Sequence, residues 1–130
     1  MNGQRIILGI AALWGLFGVV LLAMGSHPPA ATVLATGGSF LLFHAAAVLA
    51  INNSALLAGW RRAAPVALML TGSGIFGLET LIHGTTGILA FQMLAPVGGG
   101  LTILGWLVLA IGAFTPRKSN SARPTGSRAY

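Results

Sequence analysis

Residues 6–24 read IILGIAALWGLFGVVLLAM, an apolar run without a charged residue, bounded by Arg5 before it and by the turn GSHPP at Gly25–Pro29 after it. Its length is close to the ~20 residues with which a helix crosses a ~30 Å hydrocarbon core. A segment apolar on every side is not the amphipathic helix of a soluble bundle. Three more runs follow the same plan. Ala31–Ile51 is closed by Asn52 and Asn53, Val66–Ile82 is preceded by Arg61, Arg62 and Pro65, and Pro96–Phe114 ends before Thr115, Pro116, Arg117 and Lys118. In lipid each backbone N–H and C=O must be satisfied internally, and none of the runs alternates as a barrel strand does. The expected fold is therefore an all-α, four-helix transmembrane bundle. The third run is the shortest and the only one that carries an acid, Glu79.

Composition agrees. Of the 130 residues 55% are hydrophobic and 6% charged, and the mean hydropathy is +0.88. A soluble domain carries about 25% charged residues, so this chain cannot build a water-facing surface. No interior linker divides it: residues 1–115 read as one membrane domain and 116–130 as a tail. The absence of cysteine excludes disulfides, thiolate metal sites and cysteine nucleophiles. The net charge of +6 sits at segment ends rather than on a polar face interleaved with aromatics, so nucleic acid is not an expected partner.

The basic residues set an expected orientation. Arg5 precedes the first span, Arg61 and Arg62 lie between the second and third, and Arg117, Lys118, Arg123 and Arg128 follow the fourth. The other two connections contain no Lys or Arg. Four spans place all seven basic residues on one side, which the positive-inside rule makes the cytoplasm. Both termini are expected there. Arg5, the first apolar run and Ala23-Met24-Gly25 also resemble a secretory signal, but the run exceeds the usual ~7–15 apolar residues and cleavage would spoil the charge symmetry. The tail, rich in Ser, Pro, Gly and Arg, cannot bury a core and is expected to be disordered and cytoplasmic; its basic residues either rest on anionic headgroups or merely fix topology.

Few residues offer chemistry. Gly98, Gly105 and Gly112 recur every seven residues, which is a helix-packing seam along the fourth segment, and Gly15, Gly18, Gly72, Gly74 and Gly77 supply similar notches. Thr36, Phe40 and His44 follow at steps of four on one face of the second helix. His44, near mid-span, reads either as a proton relay or ligand contact, or as a neutral ring bonded to a carbonyl or hydroxyl of a neighbouring helix; the second is the expectation. Glu79 and His83 share a face one turn apart. With His27 from the first outer turn they form a candidate divalent-metal set; the plainer expectation is a neutral Glu79, or one paired with His83 near the interface, with no metal and no cofactor. A single carboxylate cannot form a carboxylate pair, and the chain has no aspartate for a Ser/His/Asp triad. PVGGG lacks the Gly-Lys-Ser/Thr of a phosphate loop.

APVGGGLTILGWLVLAIGAF at Ala95–Phe114 resembles the T-P-x-G-G…G-W signature of the YgdD family, small four-helix bacterial inner-membrane proteins with eukaryotic relatives and no assigned activity. AMGSH at Ala23–His27 is similar to that family's G-A-F-G-A-H, Thr36, Phe40 and His44 match its T…Y…H, and Arg61-Arg62 matches its basic inner loop. The similarity covers about residues 5–118. Ala95 and Phe40 stand where the family has threonine and tyrosine, and FGLETL at Phe76–Leu81 replaces F-S-G-S-L-Y, so Glu79 is not a family residue. The resemblance marks His27, Thr36, His44, Pro96, Gly98, Gly99 and Trp106 as motif positions. It implies a multi-pass protein of the bacterial plasma (inner) membrane. The expected function is non-enzymatic, an accessory or scaffold component with a membrane-protein partner or a second copy. The alternative is a minimal oligomeric transporter or proton-coupled channel using His44 and Glu79.

Overall fold

The computed structural model describes residues 2–29, 31–89 and 93–116, all in four helices and their connections. They are α1 (Gly3–Met24), α2 (Ala31–Asn53), α3 (Trp60–Thr86) and α4 (Leu94–Phe114). Each is long and apolar enough to cross a membrane. The chain is an all-α bundle of four membrane-spanning helices. The tail from residue 117 onward lies outside the described residues.

Three helices begin earlier than the apolar runs, α1 at Gly3 with Arg5 inside it. α3 starts at Trp60, so Arg61, Arg62 and Pro65 lie inside it rather than before it. Gly59, at φ 58°, turns the chain, and its carbonyl accepts the N–H groups of Arg62 and Ala63 to open the helix. Reading Arg-Arg and Pro as a loop missed that arginine stems cover apolar surface while their heads reach polar groups. At 27 residues α3 is ~40 Å long, longer than the ~30 Å core, so its ends reach the interfaces. It stops at Gly87, a left-handed residue (φ 70°) whose N–H returns to the His83 carbonyl. α4 begins at Leu94, which puts Pro96 in its first turn, where a missing N–H costs little.

Neighbours in sequence are neighbours in space: α1 packs on α2, α2 on α3 and α3 on α4, with a slighter α1–α3 contact. α1 and α4 stay apart, and no Cα of α2 comes within 8 Å of one in α4. Between adjacent helices the distance is set by glycine. A Cβ at Gly18 would stand 2.9 Å from the Gly38 carbonyl oxygen, and one at Gly38 would stand 2.6 Å from that of Gly18. Gly72 and Gly98 repeat this reciprocity between α3 and α4. Gly98, Gly105 and Gly112 are all buried on α4 and face Phe76, Met69 and Arg61 of α3 in turn, so the seven-residue repeat is the α3–α4 seam. At the basic end a cluster centred on Ala11, Val48, Ile51, Val66 and Met69 fills the bundle.

Candidate functional site: a ring stack bridging three helices

Because the α2 and α4 backbones do not meet, side chains fill the interval. Phe76 of α3, Phe40 and His44 of α2, and Trp106 of α4 form a continuous stack. Ring centroids lie 4.2 Å apart for Phe40–Phe76 and 4.3 Å for Phe40–His44. His44 and Trp106 meet edge to face at 6.3 Å. Steps of four along α2 bring Phe40 under His44, and Gly98 lets α4 close on α3 beside Phe76.

Both nitrogens of His44 are engaged. Nδ1 lies 2.7 Å from the Phe40 carbonyl oxygen, and Trp106 Nε1 lies 3.3 Å from Nε2. An indole N–H only donates, so Nε2 is the acceptor and Nδ1 carries the proton that goes to the carbonyl. That assigns the neutral Nδ1–H tautomer. The ring is 8% exposed and all its polar capacity is used inside the protein. The carbonyl partner belongs to His44's own helix rather than to a neighbouring one, and α4, whose backbone does not pack on α2, supplies a tryptophan. Trp106 remains half exposed. Thr36, on the same sequence step, is exposed and donates to Thr32.

The acid and the other two histidines do not assemble. Among the described residues no group of three His, Cys, Asp or Glu could hold a metal ion. His27 is exposed in the α1–α2 turn and His83 is half-buried. Glu79 is only 5% exposed and lies about two turns from the end of α3, because the helix continues to Thr86. No hydrogen bond or ion pair joins it to His83 among the described residues, so of the two expected forms the one paired with His83 is not seen. Glu79 is buried within the bundle. Of the remaining motif positions Gly99 has open space around it and Pro96 is exposed.

Two features escaped the sequence reading. Trp14 Nε1 donates to the Leu70 carbonyl oxygen at 3.0 Å, a cross-link from α1 to α3. Gly74 makes it possible, since a Cβ there would stand 2.6 Å from Trp14 Cζ2; the pairing of a tryptophan with a distant glycine leaves no periodic signal. Thr102 is buried on α4 and its hydroxyl returns to the Gly98 and Gly99 carbonyls. A cavity of about 600 Å³ between α1, α2 and α3, lined by Trp14, Phe17, Leu41, Gly77 and Leu78 among others, is almost wholly apolar.

A UPF0382 membrane protein of Haemophilus influenzae is 33% identical over 120 residues, covering 82% of this chain and 92% of that protein. A UPF0382 membrane protein of Schizosaccharomyces pombe is 30% identical over 118 residues, 81% of this chain and 98% of its own. No family model matches the chain. No solved structure matches it.

Proposed function

The chain belongs to the UPF0382 family of membrane proteins, and from that premise we propose that it is a non-enzymatic component of the bacterial plasma (inner) membrane, an accessory or scaffold partner of a larger assembly or of a second copy. The observation that carries this reading is His44. The ionisable ring nearest mid-span has one nitrogen on its own helix and the other on Trp106, so it joins helices and has no free site for a substrate or a travelling proton. Residues 1–115 act as one membrane domain, with 116–130 as a basic tail. Both termini face the cytoplasm, a placement supported by the seven basic residues that four spans gather on one side.

The alternative, a minimal oligomeric transporter or proton-coupled channel, draws support from Glu79, buried in a spanning helix where an acid is costly and commonly marks a conduction path. It also needs His44 to exchange protons, which would break the Trp106 bond. Purification from native membranes in mild detergent, with identification of co-purifying proteins, tests the first reading. A stoichiometric membrane-protein partner or a defined homo-oligomer is expected. Repeated recovery of neither, together with proton flux from liposomes holding the purified chain, would replace it with the second. A reporter fused after Tyr130 that is active only in the periplasm would overturn the orientation.

A further inference from the structure

The basic end of the bundle holds a cleft of about 450 Å³ between the α2–α3 connection and the last turn of α4, lined among others by Ser54, Leu56, Leu57, Arg61, Ala113 and Phe114. We propose that this cleft binds an anionic phospholipid, its phosphate at Arg61 and Ser54 and the upper part of an acyl chain along Leu56, Ala113 and Phe114.

The polar rim is built to donate. Arg61 gives Nη1–H to the Thr115 carbonyl at 2.7 Å and Nη2–H to the Pro116 carbonyl at 3.3 Å. These bonds fix the guanidinium at the mouth of the cleft and cover the end of α4, whose carbonyls would otherwise repel an anion. Among the described residues two of its five N–H donors are used. Ser54 Oγ accepts the Leu56 N–H, which leaves its own hydroxyl proton to donate. Arg62 donates to the Ser54 and Leu57 carbonyls and so holds the loop that forms one wall. Charge complementarity is complete at this end: the chain's single acid, Glu79, lies 18 residues along α3 from Arg61, ~27 Å away by helical rise.

The apolar wall selects a lipid rather than a free anion. Leu56 and Phe114 are among the most exposed large hydrophobic side chains of the protein, at 82% and 90%. Arg61 stands in the first turn of the over-long α3, at the depth of the headgroups, and exposed Trp60 beside it is the residue type of a membrane interface. A ligand with a phosphate at that depth and a chain below it satisfies both parts. Attraction of basic clusters to anionic headgroups is general; the paired rim and wall make this site specific. The inference requires only the membrane-spanning bundle, and neither the accessory role nor the side on which the termini lie.

The test uses the full-length chain, purified in neutral detergent and supplied with phosphatidylglycerol, with phosphatidylcholine of the same acyl chains, or with inorganic phosphate alone. Retained lipid is counted by native mass spectrometry and unfolding is followed by temperature. Phosphatidylglycerol is expected to be retained and to raise the unfolding temperature, while phosphatidylcholine and phosphate do neither. Ala113→Phe, which fills the cleft from its exposed wall, and Arg61→Gln, which removes the charge, should each weaken phosphatidylglycerol retention about tenfold. Ile103→Phe, on the exposed face of α4 away from the cleft, should leave it unchanged. Equal retention of the two lipids, a shift reproduced by phosphate alone, or undiminished retention by a folded Ala113→Phe protein would overturn the proposal.

Discussion

Gly72 on α3 and Gly98 on α4 cross so closely that a Cβ added to Gly72 would stand 2.6 Å from the Gly98 carbonyl oxygen, and one added to Gly98 would stand 2.7 Å from that of Gly72. The obstacle on each side is backbone, which cannot rotate away. Lipid tails are as apolar as leucine, so close packing of this kind, not hydrophobic burial, holds membrane helices together. Gly98→Ala is therefore expected to push α4 away from α3 at a cost of about 1–3 kcal/mol, the range for overpacking. Gly99→Ala, with open space around it, should be close to neutral. Unfolding of the two variants in the same bilayer or detergent separates them; equal stability would mean that α3 and α4 do not meet at this crossing.

Trp14 should matter for its N–H more than for its bulk. Trp14→Phe keeps an aromatic ring against α3 and loses the bond to the Leu70 carbonyl, at a cost of about 0.5–1.5 kcal/mol. Gly74→Ala places a methyl against the indole and should cost at least as much. Once Trp14 has been shortened to Leu, the Gly74→Ala substitution should cost less, because the clashing ring is gone. A double-mutant cycle measures this coupling directly, and a coupling of zero would mean that Trp14 does not pack on Gly74.

Glu79 is buried on α3 and has no hydrogen-bond partner among the described residues. Glu79→Gln keeps shape and hydrogen-bonding capacity and should leave insertion and folding intact. Glu79→Leu should be neutral or stabilising, by at most the ~2.5–3.5 kcal/mol that an acid costs at a helix centre. Marked destabilisation by Leu, measured as unfolding in lipid, would reveal a required partner. Elemental analysis of the purified wild-type protein addresses the His27–Glu79–His83 metal set; no stoichiometric divalent metal is expected, and finding one that Glu79→Gln abolishes would restore that set.

Arg61 closes the end of α4 from the first turn of α3. Replacing it with Ala removes the two bonds to Thr115 and Pro116 and a cation at a helix C-terminus, worth about 0.3–1 kcal/mol at an exposed end. The loss should be local. Hydrogen exchange at residues 112–115 should accelerate while that of α2 stays unchanged, and uniform acceleration across the bundle would contradict a capping role.

The four spans were legible because apolar length is a strong signal in lipid, and the α3–α4 seam because Gly98, Gly105 and Gly112 keep one face over two heptads. The start of α3 was not: Arg61, Arg62 and Pro65 read as a loop by residue type, yet the arginine heads reach carbonyls of the α2–α3 connection and of the α4 end while their backbone stays helical. The site was half legible. Spacing along α2 paired Phe40 with His44 but gave Thr36 equal standing, since one helix does not reveal which part of a stripe meets a neighbour. Trp106 was marked only through its family motif, and Trp14 not at all, because contacts between distant helices leave no periodicity in the chain.

The account rests most heavily on His44 as a neutral joint between α2 and α4. Nitrogen-15 NMR of the labelled protein in lipid reads the ring directly. A protonated Nδ1 and an unprotonated Nε2 are expected, with a hydrogen bond from the Trp106 indole to Nε2 that disappears in Trp106→Phe. A ring protonated at both nitrogens near neutral pH, or one whose tautomer is indifferent to the loss of the Trp106 indole, would contradict the structural role and return His44 to the proton-coupled reading.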